Sequence, residues 1–597
     1  MTSTVSPEYN AETDEPESNK YSLVWLDYTA FSISLCLSAG ISLYYGYSKR
    51  KQNTVEEYMF GGKNMPSLPI CMSNMASTVS SILLVAMPTE TYYYGAQLLF
   101  ICLGDMAAAV FMYFFYLPVF YNLGYTSLFE YLEKRFDKGT RCLASAIYSV
   151  TQILYLLVIV YSSCTAVSQA LGISFNLFAP LACIFCTFYT VVGGLRGVVW
   201  ADTLQAVFIF LSIITLIIIG VWNAGGLGNV IDIAEKGSRL HVFNFDINPL
   251  TRNSAWLLFI SALFIGIYGN STNPGVVQRY LSLSSFSKAK LVVIITTLAS
   301  ITIISLTICL GLVIYATYYN CDPAMSKSLS SNSELVSYYV VQSGRKLPGV
   351  TGLFLAGILS AALSSMSTIM NSISGTTCED LIKPLLSKKL SNEQTNFYIK
   401  CLAAIIGLIV TVGIFGLNAS GGIFQLYRTT LSLTSGVILF IFTFGIFCRR
   451  ANSKGAIAGA IAGIIVSVTL GLGSQAAITS GKIKYTHKVI SIEGCPANLT
   501  SSLALNLTKI GYNGYITPVS FADDVIYPFR ISFNLITFIG ITISMLVGST
   551  VSYLTKPDKD IDEKLLIPQI RNKQFHHQDS NYKTMEELKQ LNSYANN

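Results

Sequence analysis

Three groups of residues in this chain have types and spacings that could do chemistry. The first is Ser360-Ala-Ala-Leu-Ser-Ser-Met-Ser-Thr-Ile-Met-Asn371, where Ala361, Ser364 and Ser365 stand at i, i+3 and i+4 and share one helix face. Two hydroxyls and a freed carbonyl suit a hard monovalent cation, which takes oxygen ligands and partial rather than full negative charge. The alternative is that Ser and Thr here only hydrogen-bond their own helix. The second group is a pair of interruptions in otherwise apolar runs, Met72-Ser-Asn-Met-Ala-Ser-Thr-Val-Ser-Ser81 (followed by Pro88 and Glu90) and Gly266-Ile-Tyr-Gly-Asn-Ser-Thr-Asn-Pro-Gly275. The third is two charges set in apolar surroundings, Asp105 and Arg428.

Those residues sit in a chain whose composition dictates a lipid setting. Of 597 residues, 52% are hydrophobic and 12% charged, about half the charge of a soluble domain. Mean hydropathy is +0.52. The composition predicts a polytopic membrane protein, all-α, with spans at about residues 26–47, 66–95, 97–121, 142–171, 175–194, 202–223, 256–276, 289–318, 348–378, 398–417, 421–447, 455–473 and 530–554. The net charge of +7 lies in connecting loops and points to no nucleic acid.

Orientation follows from the Lys and Arg of short loops. Segments 48–52, 131–141, 195–201, 279–290, 383–390 and 448–454 are basic, and each follows an odd-numbered span. They are expected in the cytoplasm, with the N-terminus outside and the C-terminus inside a plasma membrane. The sequons at Asn498 and Asn506 fall on the expected outer side in loop 474–529, so both are glycosylation candidates. Asn418 lies close to the membrane, and the Asn270 sequon lies inside a span and is discounted. Cys321 and Cys495 occupy two outer loops and form a disulfide or remain two free thiols. Residues 1–22 read as a disordered tail without a signal peptide, and 555–597 as a polar tail with a short helix at Glu-Glu-Leu-Lys-Gln-Leu.

A bilayer helix that breaks itself needs a reason, because freed backbone groups find no water there. The two broken spans lie five apart. Paired breaks in matching places mark inverted-repeat secondary transporters, with the solute held at the break; close helix packing through small residues is the alternative. With 23–52 as a leading helix, 66–223 and 256–447 become two five-helix repeats. Residues 455–554 supply two trailing helices. The solute-pocket candidates are Ser73, Asn74, Tyr268, Asn273, Gln425 and Arg428. Arg428 either clamps a solute carboxylate with its two-pronged guanidinium, pairs with Asp105 or Glu90, or reaches toward the outer surface. Tyr92, Tyr93, Tyr94, Tyr155 and Tyr161 either gate or pack.

Several stretches resemble the sodium:solute symporter family: Pro88-Thr-Glu-Thr-Tyr-Tyr-Tyr-Gly-Ala-Gln97, Tyr125-Thr-Ser-Leu-Phe-Glu-Tyr-Leu-Glu-Lys-Arg-Phe136, Val192-Gly-Gly-Leu-Arg-Gly-Val-Val-Trp-Ala-Asp-Thr-Leu-Gln205, Val277-Gln-Arg-Tyr-Leu-Ser282, Leu347-Pro-Gly to Ser374, and Glu379-Asp-Leu-Ile-Lys-Pro384. They run in family order from about residue 25 to 470, and look closest to the multivitamin, monocarboxylate and iodide branch. The resemblance implies a leucine-transporter-type fold with a leading helix, and a sodium-coupled symporter of a small organic anion or vitamin. Iodide or a sugar is the alternative solute. It also implies a sodium site formed by the carbonyls of Met72, Met75 and Ala361 and the hydroxyls of Ser364 and Ser365. Asp202 and Gln205 match positions linked to sodium binding or its inward path, although a snorkelling or capping carboxylate explains Asp202 equally well. Relatives read Asn-Gln-Ala-Gln at the second break, where this chain reads Asn273-Pro-Gly-Val276, so two pocket amides are missing. Sodium is the only ion implied, with no other cofactor.

From another class, an ion channel stays open as the alternative, although the chain has no filter-like repeat; it also has no GxxxxGK[ST] phosphate loop for a pump. Its four histidines, His241, His487, His576 and His577, all lie outside the expected spans, which argues against an enzyme.

Overall fold

The computed structural model describes residues 23–570, apart from 48–61, 63, 126, 327–328, 330–331, 345–346, 387–389, 418–421, 486, 489, 492, 496–519 and 558–560. The expected features of residues 1–22, the tail helix near the C-terminus, and the sequons at Asn418, Asn498 and Asn506 lie outside the described residues.

Among the described residues, eleven helices are long and apolar enough to cross a bilayer, and one bent pair adds a twelfth. In chain order they begin with α1 (Trp25–Tyr47), the bent pair α2 (Ser67–Thr78) and α3 (Ser81–Tyr94), α4 (Ala96–Leu123), the short α5 (Glu130–Arg135), and α6 (Lys138–Leu171). The next helix, α7 (Phe175–Asn223), has 49 residues, roughly 70 Å if straight and more than twice a hydrocarbon core. Gly194 interrupts it at φ 56°, ψ −168°, a conformation that Gly adopts without a Cβ clash. Split there, α7 is two spans and the total is the thirteen expected from sequence.

After a surface helix, α8 (Leu227–Lys236), come α9 (Ala255–Thr272), α10 (Pro274–Leu281), α11 (Phe286–Thr317), a short and mostly buried helix α12 (Leu335–Gly344), α13 (Val350–Leu385), α14 (Asn392–Gly416), α15 (Ile423–Phe447), α16 (Ser453–Thr479) and α17 (Phe533–Leu554). A two-stranded antiparallel ribbon pairs Ile483–Lys484 with Ser520–Phe521.

The two breaks fall where the sequence put them. Between α2 and α3 the chain turns by 54°, at Val79 (φ −84°, ψ 79°) and Ser80. Between α9 and α10 a π-helical turn over Tyr268–Thr272 runs into extended Asn273, whose side-chain oxygen accepts from the Gly275 N–H and caps α10. Pro274 sits at the first position of that helix, where its missing N–H costs nothing.

Helix α13 runs through the middle of the bundle. Its most apolar window is 94% buried, against 22% for α1 at the rim. The small residues Gly357, Ser360, Ala361, Ser364 and Ser365 let α13 take that place against α7 and α2. Asp27 docks α1 by accepting from the N–H groups of Gly349 and Gly352 at 3.1 and 2.8 Å.

Loops segregate to two ends. At one end Arg141 meets Asp380 and Glu133, Arg135 donates to the carbonyls of Gly445, Cys448 and Ala451, and Arg449 pairs with Glu563. These contacts join the connections after the third, ninth, eleventh and last spans. At the other end a disulfide links Cys321 to Cys495 with Cα atoms 5.0 Å apart. There Asp322, Arg239 and Lys488 gather around the end of α3. This alternation is the one that the basic segments require.

Candidate functional site

The end of α2 is the first half of the site. A helix leaves its last four carbonyls without ladder partners, and α2 stops at Thr78, so Ala76, Ser77, Thr78 and Val79 carry them. The Ser77 carbonyl accepts from the Ser365 hydroxyl at 3.2 Å. The Ser77 hydroxyl lies 3.2 Å from that of Ser364 and 2.9 Å from that of Thr368. The expected face of α13 therefore meets the break in the second span.

The carbonyls expected to join it lie within α2. Met75 O already accepts from the Val79 N–H at 2.8 Å and the Thr78 hydroxyl at 2.9 Å, and Met72 sits a turn earlier inside the ladder. The free carbonyls lie one turn later, because the helix ends at Val79 and not near Met75.

Asp202 is neither a cap nor a snorkelling group. It is fully buried on α7 and makes an ion pair with Arg279 of α10 at 2.9 Å. Its Oδ2 also accepts from Ser73 at 2.7 Å and Ser77 at 3.4 Å. Arg279 Nη2 donates in addition to Ser77 at 3.1 Å and Thr368 at 2.5 Å. One hydroxyl, Ser77, thus touches α7, α10 and α13 chemistry at once. Gln205, one turn along from Asp202, faces away and donates to Ser38 of α1 at 3.3 Å.

A cavity of about 170 Å³ opens beside this seam. Ser77, Thr78 and Val79 from the first break line it, with Tyr268, Asn270 and Asn273 from the second, and Tyr155, Asp105, Tyr427 and Arg428 across from them. Tyr148 donates to Asn273 Oδ1 at 3.1 Å, and Gln152 donates to the Tyr268 hydroxyl at 3.2 Å, holding the second break in place. Arg428 Nη2 donates to Ser261 at 2.7 Å and to Asn534 at 3.4 Å, while its Nε is buried with no hydrogen-bond partner.

Of the pocket residues expected from sequence, Tyr268, Asn273 and Arg428 line this cavity. Ser73 and Asn74 do not: Ser73 serves Asp202 on α7, and Asn74 is buried with neither side-chain polar atom hydrogen-bonded. Gln425 is also elsewhere: it accepts from Arg252 at 3.3 Å and donates to Gln475 at 3.3 Å, one turn nearer the disulfide end than Arg428. Of the tyrosines, Tyr155 packs on Tyr427 at the cavity wall and Tyr161 on Phe175, away from it.

Comparison with known proteins decides the family. The model of the sodium:solute symporter family matches residues 58–463. The chain belongs to this family. Relatives include sodium-coupled monocarboxylate transporter 1 of Xenopus laevis (31% identical, covering 89% of this chain and 86% of the relative) and sodium-coupled monocarboxylate transporter 2 of Bos taurus (33%, 91% and 86%). The sodium/iodide cotransporter of Homo sapiens is 31% identical over 89% of this chain and 84% of the relative. A solved Na+-coupled sialic acid symporter superposes with a TM-score of 0.73 at 22% identity, covering 90% of this chain and all of that one. The fold is thus the leucine-transporter type with inverted five-helix repeats, a leading helix and two trailing helices. The chain is a multi-pass membrane transporter and not an enzyme, in a family that couples sodium to a small solute.

Two charged residues of this symporter escaped the sequence reading. Arg279 stands in the Val277-Gln-Arg-Tyr stretch; a buried Asp202 on α7 called for such a partner. Arg252 closes on Glu90 through two bonds, 2.7 and 2.9 Å, and stacks over Tyr94 at 4.3 Å. Glu90 is therefore taken and is no partner for Arg428. Nothing in the spacing of residues 248–254 announced Arg252, because its acid lies 162 positions away.

Proposed function

We propose that this symporter imports a small carboxylate-bearing solute, a monocarboxylate or a biotin- or pantothenate-like acid, with sodium across the plasma membrane. The observation that carries this reading is Arg428, which lines the cavity beside the two helix breaks and keeps its buried Nε without a hydrogen-bond partner. A guanidinium in low dielectric binds a planar carboxylate with two parallel bonds. The monocarboxylate relatives support the same solute class. An inorganic anion such as iodide is the second reading, favoured by the human iodide cotransporter among the relatives.

Sodium binds between the first break and α13, on the carbonyls of Ala76, Val79 and Ala361 and the hydroxyls of Ser364 and Ser365. It ties α2 to α13 and so shapes the cavity wall made by Ser77, Thr78 and Val79. Solute binding then favours closure of the disulfide end, which faces outward, while the Arg-rich end faces the cytoplasm. The basic loops at one end and the disulfide at the other support that orientation. Mutual strengthening of the two ligands is typically about 1–3 kcal/mol. An inside-negative potential contributes about 2.3 kcal/mol per net positive charge per 100 mV.

Voltage-clamped oocytes given short monocarboxylates, biotin, pantothenate, iodide or glucose, in sodium and then in choline, test this reading. Sodium-dependent inward current and tracer uptake are expected for carboxylates. Ser364→Ala/Ser365→Ala at normal surface expression is expected to raise half-saturating sodium about tenfold or more, the worth of one or two lost ion contacts. Uptake that persists unchanged in choline would remove sodium coupling from this protein.

A further inference from the structure

Asp105 is the second charge of the cavity, and none of the described hydrogen bonds or ion pairs uses it. It stands on α4, pinned against α9 by close backbone approach: a Cβ added at Gly104 would lie 2.7 Å from Phe259 O. Opposite the carboxylate, Gly266 leaves a recess, since a Cβ there would come within 3.0 Å of Asp105 Oδ1. The acid is thus held at the wall with its oxygens free. An ionisable group inside a span that faces a cavity is kept there by a ligand or a partner.

Arg428 is not that partner. Two other buried arginines close on acids at contact distance, Arg252 on Glu90 and Arg279 on Asp202. Arg428 has the same flexible stem and faces the same cavity as Asp105, yet no ion pair within 4.0 Å links them among the described residues. Its Nη2 turns to Ser261 and Asn534 instead. Two opposite charges are therefore held on one cavity without neutralising each other, between the apolar walls of Met87, Ile101 and Phe424.

We propose that Asp105 and Arg428 are the two poles of the solute site, which takes a dipolar solute: carboxylate on Arg428, protonated amine on Asp105. This rests on the carboxylate clamp at Arg428 given above and goes beyond it, favouring amino carboxylates over plain acids. A plain monocarboxylate meets attraction at one pole and repulsion at the other. A small amino carboxylate meets a complementary charge at both, so the site discriminates by a repulsive element as well as an attractive one.

The test compares solutes of equal length with and without the amine: glycine with acetate, β-alanine with propionate, 4-aminobutyrate with butyrate. Lactate serves as an uncharged-donor control. Sodium-dependent current and tracer uptake are read in oocytes, with surface biotinylation for each variant. In the wild type, the amine member of at least one pair is expected to half-saturate at about tenfold lower concentration, with lactate grouping with propionate. Asp105→Asn is expected to abolish that preference and improve the plain acids. Asp105→Glu, which keeps the charge, is expected to keep the preference if the Asn variant is poorly expressed. Arg428→Gln is expected to lose both members of every pair. No amine preference in the wild type, lactate matching the amines, silence for every solute, or an Asp105→Asn shift equal for both members would overturn the dipolar site. If that happens while Arg428→Gln still loses the acids, the carboxylate clamp stands; acid uptake that survives Arg428→Gln removes the clamp and the dipolar site with it.

Discussion

The acid–arginine couples Glu90–Arg252, Asp202–Arg279 and Asp105–Arg428 fall into two kinds. Glu90–Arg252 and Asp202–Arg279 are in contact, each acid holding its arginine at 2.9 Å or less. Asp105 and Arg428 share a cavity but stay apart. The contact couples join distant parts of the chain: α3 to the 248–254 connection, and α7 to α10. They also bond other protein groups, Arg252 with Gln425 and aromatic rings, Asp202 Oδ2 with Ser73 and Ser77, although Asp202 Oδ1 and Arg279 Nε stay buried without a partner. The open couple keeps unused donors and acceptors. Desolvating an unmatched charge is expensive, so an open couple persists where something else supplies the match. Contact couples are fasteners; the open couple belongs to the solute.

The largest expected effect follows from breaking a fastener. Asp202→Asn leaves the Arg279 guanidinium buried without its counter-charge, at an expected cost of about 3–5 kcal/mol. Thermal unfolding of the detergent-solubilised protein measures it, and Asp202→Asn/Arg279→Gln is expected to recover most of the loss. A single variant as stable as the wild type would place Asp202–Arg279 in the open class and dissolve the distinction. Arg428→Gln sharpens the same contrast from the other side. It removes the hydrogen bonds to Ser261 and Asn534 and a charge that no protein acid contacts, so about 1–2 kcal/mol of stability is at stake. Carboxylate uptake should nevertheless disappear.

How much of this was legible in the sequence depends on the range of the signal. The breaks were legible because Gly, Pro and polar residues interrupt a local apolar run, and the alternation of basic loops fixed which connections share an end. The face of Ser364 and Ser365 was legible because helical spacing is local too. The end of α2 was less legible: apolar pattern shows that a helix breaks but not which residue is its last, so Met72 and Met75 lie inside the ladder and the free carbonyls a turn later. Ser73, Asn74 and Gln425 were polar residues in the right segments, but the azimuth of each helix, set by packing against α7 and the 248–254 connection, turned them away from the cavity. Arg252 was invisible for a related reason, since an ion pair between positions 90 and 252 leaves no trace in spacing.

The smallest expected effect is local and concerns the segment that covers the disulfide end. His487 sits between the rings of Tyr93 and Tyr94, with centroids 4.6 and 5.1 Å away, and its Nδ1 is buried without a hydrogen-bond partner. The neighbouring Lys488 donates its N–H to Tyr93 O at 2.8 Å and its ammonium to Ser238 O at 2.5 Å. Burial, reinforced by Arg252 and Arg239, lowers the His487 pKa from 6.5 to about 4. Docked, the imidazole stays neutral down to about pH 4; undocked, it takes a proton below about pH 6.5. The undocked state therefore binds more protons between those values, and docking weakens as pH falls through that window. Lys488 moves in a separate range: burial and Arg239 lower its pKa to about 8, so docking strengthens as pH rises above 8 and is insensitive to Lys488 below it. Limited proteolysis of residues 480–495 is expected to be faster at pH 5 than at pH 7.5, and His487→Gln should flatten that difference without altering the fasteners beneath. Equal cleavage at both pH values in the wild type would mean that the imidazole titrates freely, and that this cover is not bound to the Tyr93–Tyr94 end of α3.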